Sequence, residues 1–114
     1  MLESTGLYGS SVTQWLNIDN STGDVSPTET IVPYKSELFG EGISKLDNNR
    51  WIELTWKERV VNILDRNTLE TLATMEMWKG VKEGWGITLD PVKRILYVSD
   101  GTSTITRIDA DDLT

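Results

Sequence analysis

The sequence predicts an all-β fold, an incomplete β-propeller, from three observations. A structural unit returns every 44 to 46 residues. Within each copy, segments of four to eight residues are rich in Val, Ile, Thr, Trp and Tyr and are bounded by Gly, Asn, Asp or Pro, which is the signature of strands. Four short strands in roughly 40 to 50 residues is the content of one propeller blade, and helical periodicity is weak throughout.

The first copy runs from Leu2-Glu3-Ser4-Thr5-Gly6 to Trp15-Leu16-Asn17-Ile18-Asp19. The second runs from Trp51-Ile52-Glu53-Leu54-Thr55-Trp56 to Val61-Asn62-Ile63-Leu64-Asp65, and the third from Leu96-Tyr97-Val98-Ser99-Asp100 to Ile105-Thr106-Arg107-Ile108-Asp109. Asp19, Asp65 and Asp109 stand 46 and then 44 residues apart, each with apolar residues one and four places before it. A second anchor keeps the same register, because Gly42-Ile43 recurs as Gly86-Ile87, 44 residues on. Apolar positions three apart do not fit one face of a strand, so the segment before each Asp is expected to be bulged or buried on both faces.

Each of these aspartates opens a turn, where Asp and Asn side chains accept hydrogen bonds from the backbone just ahead. Asp19 with Asp24 therefore reads as turn chemistry, since the glycine and terminal glutamate of a calcium-binding hand are missing. Asp100-Gly101-Thr102-Ser103 reads as a hairpin turn with Gly101 at positive φ. The template gives roughly three strands in the first copy, four in the second and three in the third. That predicts one partial propeller domain over 1–114, with a partial blade at 1–38, a blade at 39–82 and a partial blade at 83–114. An open array leaves edges and apolar faces exposed, so the chain is expected to be a fragment or to self-associate through its blade edges.

Composition narrows the chemistry. The chain has 114 residues, no histidine and no cysteine, which removes the commonest general base, thiolate metal sites and disulfides together. Proton chemistry falls to Asp, Glu, Lys and Tyr, with a carboxylate the expected catalyst. A net charge of −7 repels phosphate backbones and acidic membrane surfaces, so neither nucleic acid nor a membrane is expected as partner. No stretch approaches the roughly 20 apolar residues of a spanning helix, and Met1 to Ser10 carry no visible targeting address. A soluble chain of unassigned compartment is expected, with neither metal nor cofactor.

The first strand of each blade lines the central channel, and two copies of it are present. Phe39-Gly40-Glu41-Gly42-Ile43 aligns with Glu83-Gly84-Trp85-Gly86-Ile87, which puts Glu41 and Trp85 at equivalent places in adjacent blades. Flanking glycines let neighbouring backbone approach and leave one large side chain standing in open space. A glutamate so placed, near aromatic rings, is partly desolvated, and its pKa rises toward that of a proton shuttle. The residues equally allow the glycines to serve strand entry while Glu41 points into solvent. Of the five tryptophans, Trp15, Trp51 and Trp78 are expected to pack between blades, while Trp56 and Trp85 stand where they can stack on a small ligand. Lys57-Glu58-Arg59 is expected to be a solvated turn.

Five phrases occur in one order: Leu2-Glu3-Ser4-Thr5-Gly6-Leu7-Tyr8-Gly9, Phe39-Gly40-Glu41-Gly42, Leu54-Thr55-Trp56, Gly84-Trp85-Gly86-Ile87-Thr88 and Ser99-Asp100-Gly101-Thr102-Ser103-Thr104. Together they resemble the plant and bacterial glutaminyl-peptide cyclotransferases, over essentially the whole chain and about half of the family's length. The resemblance implies a five-bladed ring, of which this chain supplies about two and a half blades. It also implies an enzyme that converts the N-terminal glutamine of a peptide to pyroglutamate and releases ammonia. In the family the glutamate of Phe-Gly-Glu-Gly is the proposed acid/base, which falls on Glu41, and the pocket lining carries over to Phe39, Trp56 and Trp85. The resemblance favours Glu41 as a channel residue. Animal glutaminyl cyclases are zinc enzymes of another fold, which a chain without His or Cys does not resemble. The family's glutamine, asparagine, lysine and further tryptophan would lie before Met1 or beyond Thr114. The other function the residues allow is a silent propeller module that binds peptides or small ligands in an aromatic channel.

Overall fold

In the computed structural model, which describes residues 1–114, ten strands form three antiparallel sheets and there is no helix. The first sheet joins β1 (Leu2–Ser4), β2 (Val12–Ile18) and β3 (Val25–Pro33). The second joins β4 (Gly40–Lys45), β5 (Arg50–Thr55), β6 (Val60–Asp65) and β7 (Thr71–Glu76). The third joins β8 (Ile87–Asp90), β9 (Ile95–Ser99) and β10 (Ile105–Asp109). In each sheet, strands adjacent in sequence are adjacent in space, and β4 lies against both β1 and β8. The all-β expectation holds. No helix is long and apolar enough to cross a membrane.

The repeat is visible in the hydrogen bonds. Asp19, Asp65 and Asp109 close β2, β6 and β10, and each donates its backbone N–H to the carbonyl five residues on: Asp24, Glu70 and Thr114, at 2.8, 2.9 and 2.9 Å. Each also accepts, at its carbonyl, the N–H of the residue four places on: Gly23, Leu69 and Leu113, at 2.7, 3.0 and 2.8 Å. All three of those residues have positive φ, 75°, 61° and 61°. Glycine meets that conformation without strain in the first copy, and leucine is held in it in the other two. The aspartate side chains accept from the turn: Asp19 from the Ser21 and Thr22 amides, Asp65 from those of Asn67 and Thr68, and Asp109 from that of Asp111. Asp19 is thus turn chemistry, as its neighbours imply.

Apolar residues three apart are accommodated in more than one way. β2 has a register shift against β3 between Gln14 and Leu16, and β6 has one against β7 between Ile63 and Leu64. Val61, Asn62, Ile63 and Leu64 are all buried, so β6 is also covered on both faces. In β10 only Ile108 is buried, and Ile105 is 57% exposed, because β10 is the edge strand of its sheet.

One apolar cluster joins the second and third sheets: Leu46, Ile52, Leu54, Val61, Ile63, Met77 and Val81 meet Leu96, Val98, Ile108 and Ala110. Tryptophans bridge sheets as expected. Trp15 and Trp51 meet edge-on at 5.7 Å between the first two sheets, and the Trp78 indole donates to the Leu113 carbonyl at 2.8 Å. The Lys57-Glu58-Arg59 turn differs from a merely solvated one. Arg59, at φ 59°, donates to the carbonyls of Lys82, Met77 and Trp78 and also to that of Val81, because this loop turns several carbonyls toward one guanidinium.

Candidate active site

β4 begins with a bulge: Gly40 faces Thr55 and Ile43 faces Glu53, so Glu41 and Gly42 together oppose Leu54. A bulge re-aims the extra side chain, and here it turns Glu41 into a groove of about 760 Å³. The groove is lined by Phe39, Glu41 and Ile43 of the second sheet, Glu3 and Ser4 of the first, and Trp85 and Ser99 of the third. Both glycines beside Glu41 are sites of close approach. A Cβ on Gly40 would lie 2.5 Å from the Thr5 carbonyl oxygen, and one on Gly42 would lie 2.5 Å from that of Trp85. The Gly42 N–H donates to the Trp85 carbonyl at 2.7 Å, and the Ser4 hydroxyl donates to the Glu41 carbonyl. The backbone that carries Glu41 is therefore clamped between the neighbouring sheets.

Trp85 takes the equivalent place in the third sheet but precedes β8, which starts at Ile87. Its amide donates to the Ser99 carbonyl at 3.2 Å, while the Ser99 amide donates to the Gly86 carbonyl at 3.0 Å. Its ring lies over the Asp100–Gly101 turn and is 46% exposed. That turn forms as its residues require. The Asp100 carboxylate accepts from the Thr102 amide and hydroxyl at 3.1 and 2.6 Å, and Gly101 has φ 77°.

Phe39 reaches the groove, and Trp56 does not line it. Trp56 stands behind, its ring 5.4 Å from that of Phe39, with the Lys57 ammonium 4.1 Å from the ring centre. Phe39 in turn meets Tyr8 edge-on at 5.1 Å, and the Tyr8 hydroxyl donates to Glu58 at 2.6 Å. One carboxylate oxygen of Glu83 accepts both indole N–H groups, from Trp56 at 2.8 Å and from Trp85 at 3.1 Å. Tyr8, Phe39, Trp56 and Trp85 so form an arc joined at its last step by Glu83.

The two carboxylates at this site are pushed apart. Burial, and then the negative charge of Glu83, hold Glu41 above the ordinary glutamate range. The hydrogen bonds from Trp85 and Trp56 hold Glu83 below it. Such a separation gives the two carboxyls unequal proton affinities, Glu41 the higher and Glu83 the lower. Nowhere does the chain gather three or more His, Cys, Asp or Glu side chains that could hold a metal ion.

Of the residues the sequence singles out, the structure brings Glu41, Phe39 and Trp85 to one groove, whereas Trp56, expected in the lining, stands one layer behind it because its ring packs against Phe39. Sequence reasoning passes over Tyr8 and Glu83. A signal for Glu83 exists: in the aligned copies it occupies the place of Phe39, a charge where the other copy has an aromatic ring.

The glutamine cyclotransferase family profile matches residues 1–114. Among solved structures the chain is similar to the glutaminyl cyclase of Myxococcus xanthus, at 19% identity and a TM-score of 0.67. The similarity covers 97% of this chain and 43% of that one, so the chain spans less than half the length of that enzyme. No curated protein matches it in sequence.

Proposed function

This chain belongs to the glutamine cyclotransferase family, and from that premise we propose that its protein converts the N-terminal glutamine of peptides to pyroglutamate, with Glu41 as proton shuttle. The observation that carries the reading is Glu41 itself: one half-buried carboxylate, raised in pKa, on a clamped bulge in a groove with aromatic walls. The α-amine attacks the side-chain amide carbon, a carbon–nitrogen bond closes the five-membered lactam, and the bond to the amide nitrogen breaks. The attacking nitrogen loses one proton and the leaving nitrogen gains one, so no net proton is consumed. Glu41 takes the first and returns it to the second, which requires a carboxylate whose pKa lies near the working pH.

Both reacting groups belong to one residue of the substrate, so orientation supplies much of the acceleration. Phe39 and Trp85 offer apolar walls against which the glutamine side chain folds back on its own amine, and Trp56 supports Phe39 from behind. The peptide beyond the first residue leaves through the open side of the groove.

The test is incubation of the full-length protein with a Gln-initiated peptide and mass spectrometry for loss of one ammonia. The same peptide with an acetylated α-amine should remain intact, because its amide nitrogen is a poor nucleophile. A Gln-initiated peptide left unchanged at high enzyme concentration would overturn the reading.

A further inference from the structure

We propose that Glu83 is a positioning residue of this site: a single carboxylate oxygen takes both indole N–H groups and fixes Trp85 as a rigid wall of the groove by tying it to Trp56. The inference rests on the cyclotransferase reading for its consequence and on geometry for its substance. Trp85 is the tryptophan that lines the groove, 46% exposed, and its indole N–H has one partner, Glu83. A ring so exposed on a segment preceding its strand would otherwise sample several rotamers, and ordering it during binding would weaken the substrate's hold.

Trp56 is the fixed end of the tie. Its backbone amide donates to the Phe39 carbonyl at 3.1 Å, its carbonyl accepts from the Gly84 amide at 3.1 Å, and its ring packs on Phe39. Glu83 is adjacent to Gly84, so its backbone is held by the same contact. The charge makes both hydrogen bonds stronger than neutral ones. Other charged groups face Glu83 from neighbouring loops, with opposite signs: Lys57 and Asp100. The carboxylate also faces Glu41, so its charge bears on the shuttle without touching the substrate.

Indole N–H resonances of the protein test this directly, with Trp56 and Trp85 assigned from the Trp56→Phe and Trp85→Phe variants. Both resonances should shift with pH through one shared midpoint, below the ordinary glutamate range, and both should lose that titration in isosteric Glu83→Gln. Independent midpoints, or movement of one resonance alone, would overturn the clamp. In turnover, Glu83→Gln should raise KM by roughly tenfold, the worth of one charge-assisted hydrogen bond, with a smaller fall in kcat. The acidic limb of kcat should move to lower pH, because Glu41 loses a negative neighbour. A shared indole titration with KM and the limb unchanged would make Glu83 structural only, against the proposal. If the wild-type protein leaves Gln-initiated peptides intact, the cyclotransferase reading falls, and the indole titration still decides whether Glu83 clamps the two rings.

Discussion

At Gly42 a single methyl group decides whether two sheets can meet. Its Cβ would stand 2.5 Å from the Trp85 carbonyl oxygen and 2.9 Å from the Ile87 amide nitrogen, both backbone atoms that cannot swing aside. Gly42→Ala is therefore expected to destabilise the protein by about 1–3 kcal/mol, as overpacking does, measured by denaturant unfolding. Leu69 presents the opposite case, a fully buried side chain held at φ 61°. Leu69→Ala should cost about 2–5 kcal/mol through the cavity it leaves. Leu69→Gly should cost no more, reversing the usual order, because glycine relieves the left-handed strain as Gly23 does in the first copy. Alanine proving the milder change would show that the strain is absent. The glycines around Glu41 were legible because their pattern repeats, whereas the role of Glu83 was not. A hydrogen bond shared by two indoles depends on where three side chains point, and spacing alone does not encode that.

Between elements, a buried polar chain joins the first two sheets. Glu53 of β5 accepts from the Thr13 hydroxyl of β2 at 2.6 Å and from the Asn62 amide of β6 at 3.1 Å, and Asn62 accepts from Thr74 of β7 at 3.1 Å. Burial pushes the Glu53 carboxyl above its ordinary value of 4.5, although these hydrogen bonds pull the other way. A carboxyl raised by folding favours the native state while protonated. Its contribution is full below 4.5 and is lost as pH rises through the raised value. The turn aspartates Asp19, Asp65 and Asp90 have lowered pKa values, so what they contribute is lost only as pH falls below about 3.8. Melting temperature followed from about pH 4.5 upward should show a declining step in the wild type, to which the raised Glu41 also contributes, and this step should be smaller in Glu53→Gln. An identical decline in the variant would assign the step elsewhere. Strand number and the turns were readable from the sequence, since turn chemistry and β-branched runs are local signals. The bulge at Glu41 was not, because it arises from pairing with β5.

Across the whole molecule the three sheets are not equally secured. The apolar cluster draws its residues from the second and third sheets and none from the first, which is held by the Glu53 chain, the Trp15–Trp51 pair and the β1–β4 junction. Native-state hydrogen exchange should accordingly find β2 and β3 opening at lower free energy than β5, β6 and β9. Uniform protection would mean the first interface is as strong as the second. The propeller order was legible because each sheet repeats one pattern, and the groove was legible only where that pattern also placed Glu41 and Trp85 at one position. The central claim is that Glu41 moves the proton between the attacking and leaving nitrogens. Its most direct test is the rate of ammonia release from a Gln-initiated peptide by wild type and by Glu41→Gln, across pH. The account requires a loss of about 10²–10⁴ in kcat for the variant, together with disappearance of an acidic limb that lies above the ordinary glutamate range in the wild type. A variant that keeps the wild-type rate and the same limb would contradict it.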